Sequence, residues 1–121
     1  MASTSEIILS NQTHPGDSTV STVSGSKFKG DGYYSRSDGF HTVQYNVTGF
    51  IGTIDAQASL ADAPVEADWF NITTSQMISV DDSSTYNTGS FIYNFTRNYV
   101  WVRIKITNWT DGTINSILLN H

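Results

Sequence analysis

The most constraining feature of this chain is a period of two. From Asn98 to Asn108, Val100, Val102, Ile104 and Ile106 form one stripe, while Trp101, Arg103, Lys105 and Thr107 form the other. A β-branched residue at every second position suits a strand, where side chains alternate across the sheet, and is restricted in a helix. The same period governs Thr42-Val43-Gln44-Tyr45-Asn46-Val47. It returns from Thr53 to Leu60, placing Ile54, Ala56, Ala58 and Leu60 on one face. Phe91, Tyr93 and Phe95 share one side of Ser90–Phe95, and Trp69–Ile72 and Met77–Val80 read as shorter strands. No stretch carries the 3.6-residue period of an amphipathic helix. The expected fold is all-β, with roughly seven to nine short strands in an antiparallel, jelly-roll-like β-sandwich.

Turn residues divide these strands. Gly49-Phe50-Ile51-Gly52 predicts a hairpin between the first two, and Thr110-Asp111-Gly112-Thr113 predicts an Asp-Gly hairpin before Ile114–Leu119. Ala61–Asp68, with Pro64 and three acids, reads as a surface loop with room for one helical turn. The leading segment is different in character. Residues 1–39 hold one apolar run, Ile7-Ile8-Leu9, a turn over Asn11–Asp17, and Ser18–Ser24, an edge strand or extended arm. Gly30-Asp31-Gly32 and Asp38-Gly39 add turn signals. The expected organisation is an N-terminal arm or peripheral strands over 1–39 and a β-sandwich domain over 40–121.

Composition narrows the function. At 121 residues the chain suits one domain. It has no cysteine, which excludes disulfides, a thiolate nucleophile and Cys-ligated metal. Six basic residues against 11 acidic ones, net −5, leave no electrostatic footprint for nucleic acid. No apolar run approaches the ~18 residues of a membrane span, and Met1–Glu6 lacks the start of a signal peptide. Charged residues are only 14%, and 31 Ser and Thr take their place. The acidity lies in the body: Lys27, Lys29 and Arg36 nearly balance Glu6, Asp17, Asp31 and Asp38 before Phe40, leaving −4 for the rest.

Catalytic groups are sparse. His14, His41 and His121 stand at no metal-ligand spacing from one another. Asp62, Glu66 and Asp68, and the pair Asp81-Asp82, read as solvated acidic loops; calcium ligation and acid–base hydrolysis are the lesser readings. No enzyme activity, cofactor or metal is expected. Among Trp69, Trp101 and Trp109, Trp101 shares its stripe with Arg103 and Lys105 on the face expected to be wet. Exposed Trp beside Arg describes a protein–protein contact, a cover for the sheet edge, or a sugar-stacking platform built from Asp68, Trp69, Trp101 and Arg103. Asn-x-Ser/Thr triplets at Asn11, Asn46, Asn71, Asn94 and Asn108 are read as products of composition.

Val47-Thr48-Gly49-Phe50-Ile51-Gly52-Thr53-Ile54, Gln57-Ala58-Ser59-Leu60 and Asp68-Trp69-Phe70 occur in order. Tyr93-Asn94-Phe95-Thr96, Val100-Trp101-Val102-Arg103 and Gly112–His121 follow. Over residues 40–121 this succession resembles a module of virion structural proteins in tailed marine phages, especially contractile-tailed cyanophages. Tyr99–Ile104 is more loosely similar to the closing strands of galactose-binding-like jelly rolls of the discoidin kind. The resemblance implies a non-enzymatic virion protein, foremost a capsid decoration and otherwise a neck, tail or baseplate component. Its expected partners are other virion proteins and copies of itself, with neither nucleic acid nor membrane, and its place is the virion, assembled in the host cytoplasm. Expected contacts are Ile7, Ile8 and Leu9 as arm anchors and Trp101, Arg103 and Lys105 on a sheet face. The alternative is a module that binds host glycan.

Overall fold

A computed structural model describes residues 5–17, 19–30, 40–81, 83–97 and 99–120. Its strands are β1 (Ser5–Leu9), β2 (Gln12–Thr13), β3 (Ser21–Ser24), β4 (Phe28–Lys29), β5 (Phe40–Ser59), β6 (Phe70–Asn71), β7 (Met77–Ser79), β8 (Gly89–Thr96) and β9 (Trp101–Asn120). Short 3-10 turns at Glu66–Asp68 and Thr73–Ser75 are the only helical elements among the described residues. Among the described residues no helix is long and apolar enough to cross a membrane.

β5 and β9 run 20 residues each and pair antiparallel from Thr42 opposite Asn120 to Ser59 opposite Trp101. At ~3.3 Å per residue such a ribbon would be about 65 Å long, whereas a domain of this size has a radius of gyration of about 14 Å. The ribbon therefore folds over. Register shifts at Asn46/Val47, Thr48/Ile51 and Ile51/Thr53 mark the elbow; bulges of this kind bend a strand without ending it. Gly49, Asn108 and Gly112 each adopt a positive φ there, of 62°, 53° and 93°.

The two halves of the ribbon become the two layers of a sandwich. In the first layer β1 and β2 flank the C-terminal half of β9, and β8 flanks the first half of β5. In the second, β3 and β4 flank the first half of β9, while β7 and β6 flank the second half of β5. Val43, Tyr45, Ile117 and Leu119 of one layer and Ile54, Ala56, Ile104 and Ile106 of the other belong to one fully buried core. Tyr45 spans it, its hydroxyl donating to the Ser75 carbonyl at 2.9 Å, and burial pushes that phenol far above its ordinary pKa. At the far end, His41 of β5 meets Tyr99, just before β9, with ring centroids 6.0 Å apart.

Two expectations are corrected here. Neither Gly49–Gly52 nor Thr110–Thr113 reverses the chain; each is a bend inside a continuous strand. A two-residue hairpin would pair the halves of β5 with each other, but each half finds its partner in β9 instead. Residues 5–29 also have a definite place. β1 to β4 lie along the outer edge of β9, in the manner of peripheral strands, and Ile8 and Leu9 enter this chain's own core. The turn signals at Asp31-Gly32 and Asp38-Gly39, and Ser18, Asp82, Asn98 and His121, lie outside the described residues.

The elbow yields a paired prediction. A Cβ on Gly49 meets nothing within 4 Å, so Gly49→Ala should cost only the left-handed backbone penalty, ~1–2 kcal/mol. A Cβ on Gly112 would land on the Gly49 carbonyl and 2.5 Å from Phe50 Cα. Gly112→Ala should therefore cost upwards of ~3 kcal/mol in urea denaturation, because clash adds to strain.

Candidate functional site

Alternation in the second layer turns Asp55, Gln57 and Ser59 of β5 and Trp101, Arg103 and Lys105 of β9 away from the core. Register sets Asp55 opposite Lys105, Gln57 opposite Arg103 and Ser59 opposite Trp101. The segment 60–69 leaves β5 and folds back over this face. The Trp101 indole donates to the Asp62 carbonyl at 3.0 Å. Glu66 then takes Arg103 in a bidentate pair, at 3.1 Å from Nη1 and 2.9 Å from Nη2, and lies 3.6 Å from Lys105 Nζ. The Asp68 carboxylate accepts from the Val65 N–H at 2.9 Å, which fixes the 3-10 turn that aims Glu66.

Further hydrogen bonds extend the cluster across the layer. Arg103 Nε donates to Gln57 Oε1 at 2.8 Å, and Gln57 Nε2 to Asn71 Oδ1 at 2.8 Å. Lys105 Nζ donates to Ser24 Oγ at 2.9 Å. The result is one polar rung from β6 through β5 and β9 to β3. The Arg103 guanidinium stacks 4.5 Å above the Trp69 ring, and Lys27 Nζ sits 4.6 Å above the Trp101 ring.

This geometry corrects the expectation of an open Trp101–Arg103–Lys105 face. Arg103 is only 6% exposed, because the 60–69 segment covers it. The structure does unite both groups singled out in the sequence, placing Asp68, Trp69, Trp101, Arg103 and Lys105 in one constellation. Two of its members were not visible beforehand. Glu66 read as a solvated loop acid, and Gln57 acquires its role only once its register against Arg103 is known. Arginine in a bidentate, stacked and hydrogen-bonded setting is a clamp on the loop.

The remaining candidates have structural partners. His14 is buried; its Nδ1 accepts from the Gly16 N–H at 2.9 Å, and its ring meets Trp109 edge-on at 5.4 Å. His41 is buried and stacks on Phe95 at 5.0 Å. Trp109 is buried at the elbow and donates to the Asp111 carbonyl. Of the three expected arm anchors only Ile7 is open, at 58% exposure. Among the described residues no three His, Asp or Glu side chains converge as a metal set. Two grooves open at the flanks of the sandwich. One, about 320 Å³, lies between Asn71–Thr74 and Asn94–Arg97 with Tyr99; the other, about 370 Å³, lies between Ile7–Ser10 with Gln12 and Val23–Ser26 with Phe28.

No family model and no curated protein matches the chain. Among solved structures it is similar to the crystal structure of the SPBc2 prophage-derived protein YomS. The TM-score is 0.52 at 12% identity, over 98% of this chain and 91% of that one. The two share a fold over nearly their whole length, a span that takes in β1 to β4.

Two carboxylates make the site testable by pH. The Arg103 hydrogen bonds beside Glu66 hold its carboxyl below the ordinary range. The clamp therefore contributes stability above the unfolded pKa and loses it as pH falls through the folded one. Glu66→Gln should remove that acid-side loss from urea denaturation followed between neutral pH and pH ~3. Asp55 behaves oppositely. It is 4% exposed, its Oδ1 has no hydrogen-bond partner, and burial raises its pKa although Gln76 hydrogen-bonds to it. Ionisation then costs stability as pH rises past the unfolded pKa, so Asp55→Asn should stabilise the protein at neutral pH and lose that advantage in acid.

Proposed function

We propose that this chain is a non-enzymatic structural component of a bacteriophage particle that acts by binding other proteins. The observation that carries the reading is the fold it shares, over 98% of its length, with a prophage-derived protein. The motif succession over residues 40–121 points the same way. So does the use made of the charged groups: the acids and bases of the second layer pair with one another and hold a loop, which suits a static part more than a catalyst. Capsid decoration is the favoured place, because a small autonomous sandwich fits many identical surface positions; neck, tail and baseplate are the others. Ile7 and the flank groove beside it offer a particle contact that needs no refolding.

Glycan recognition has less support. The Trp69 and Trp101 rings each carry a cation on one face, and the indole of Trp101 is already engaged with Asp62. A sugar stacking on either ring would compete with those contacts.

Quantitative mass spectrometry of gradient-purified particles, from the phage or prophage that encodes the chain, tests the proposal. The expected result is the chain at a fixed copy number per particle. Finding it abundant in the lysate and missing from the particles would overturn it. On a glycan array the wild type should bind nothing that Trp101→Ala fails to bind.

A further inference from the structure

Among the described residues every sheet edge but one is blunted. β1 to β4 lie along the outer side of β9, and β6, β7 and β8 along the outer side of β5, so these seven strands hold all the edges. An open edge offers its unpaired N–H and C=O groups to any extended chain, and proteins guard it with short strands, charges, prolines or bulges. β2, β4 and β6 are two residues long, and β7 is three. β1 carries Glu6 and a register shift between Ile7 and Leu9, and the four-residue β3 shifts between Ser21 and Val23. β8 has none of these devices. Its eight residues pair one for one with residues 40–47 without a shift, and they include neither proline nor a charged side chain.

Alternate residues of an antiparallel strand turn their N–H and C=O groups to opposite sides. Half of these groups on β8 therefore face away from β5, and no other described segment supplies backbone partners for them. The side chains beside the edge are open too. Phe91, Tyr93 and Phe95 alternate to the inner side and pack on the core, yet only Phe95 is buried, and Phe91 and Tyr93 stay half-buried. The groove of about 320 Å³ runs here, with the end of β8 as one wall and residues 71–74 of the second layer as the other. Arg97 lines it and forms no ion pair among the described residues.

We propose that the outer edge of β8 is a strand-addition site, occupied by an extended segment of another protein that becomes a further strand of the first layer. Backbone chemistry selects the occupant. A row of alternating donors and acceptors is matched by a second extended backbone. A helix has already spent those groups on itself, and a saccharide does not repeat them at strand spacing. The groove then selects side chains. Every second residue of the added strand points toward the second layer, so an apolar one seats beside Phe95, and an acidic one at that end meets Arg97. The inference rests on the proposed function only in taking other proteins as partners, and not on any place in a particle.

An mRNA-displayed library of random dodecapeptides, selected on the immobilised full chain, supplies the probe. Enriched peptides should alternate polar and apolar residues without internal proline. In an amide NMR titration of the full chain, synthetic copies should shift β8 and residues 71–74 foremost and slow hydrogen exchange at alternate β8 amides. Adjacent residues present their N–H groups to opposite edges, so one of Ile92→Pro and Tyr93→Pro removes only an outward donor. That variant should stay folded by circular dichroism and bind the peptide about tenfold or more weakly. Thr74→Trp obstructs the groove from an exposed position off β8, and should weaken binding equally even if both proline variants unfold. Absence of the chain from particles would leave peptide binding at β8 untouched, so the two readings fail separately. A library that yields no binder, peptides that shift residues remote from β8, or undiminished binding to Thr74→Trp and to a folded proline variant would each overturn the inference.

Discussion

The structure depends on a contact between two backbones at the elbow. β5 and β9 are too long to lie flat in a molecule of this size, so the ribbon they form must double over. The bend brings Gly112 against the Gly49 carbonyl and Phe50 Cα with no room for a side chain. Phe50 is fixed from outside as well: its N–H donates to the Asn87 carbonyl at 2.8 Å, and the Gly49 N–H donates to Thr88 at 2.9 Å. Trp109 fills the inside of the bend against Phe50 and His14. These contacts put the hydrophobic stripes of both half-ribbons face to face. Because each layer contains half of β5 and half of β9, neither can open without disturbing ladders that continue into the other. A chain with no disulfide gains cooperativity this way.

The alternation visible in the sequence identified most of the core stripes: Ile54, Ala56 and Ala58, and Val102, Ile104 and Ile106, are buried as expected, whereas Leu60, just past the end of β5, is 64% exposed and Val100, just before β9, is half-buried. Connectivity was harder to see. Glycine-bracketed breaks look the same whether the chain reverses or merely bulges, since both call for left-handed backbone. Which occurs depends on whether a half-strand pairs with its sequence neighbour or with a strand some 60 residues away, and no local pattern records that choice. The leading segment left two readings open, an arm or peripheral strands, for a related reason. Ser, Thr and Gly give it little to bury, yet an edge strand needs only backbone groups and occasional anchors, which Ile8 and Leu9 supply.

The clamp on the second layer shows the same limit. Trp101, Arg103 and Trp69 were evident as unusual residues, but their partners lie in a loop and on another strand. A single buried arginine joins Gln57, Glu66 and Trp69, residues separated in sequence and united only by register. Arg103 at the centre of its stripe is covered and fastens the 60–69 segment, while Trp101 and Lys105 on either side stay half-buried.

This covering explains why the two outer faces differ. The 60–69 segment starts at Ser59, where β5 ends in the second layer, and returns to β6 at Phe70 in the same layer. Some ten residues cannot also reach around the sandwich to the first layer, given ~3.5 Å of span per residue and the turn they must make. The charged residues needed to fasten a loop accordingly collect on the second layer, where each has a partner. The first layer has no such loop among the described residues to fasten, and its outward positions are free of charge. The same bend that divides the ribbon into two layers thus divides the surface into one face fastened under its own chain and one whose outward strand positions carry no charge.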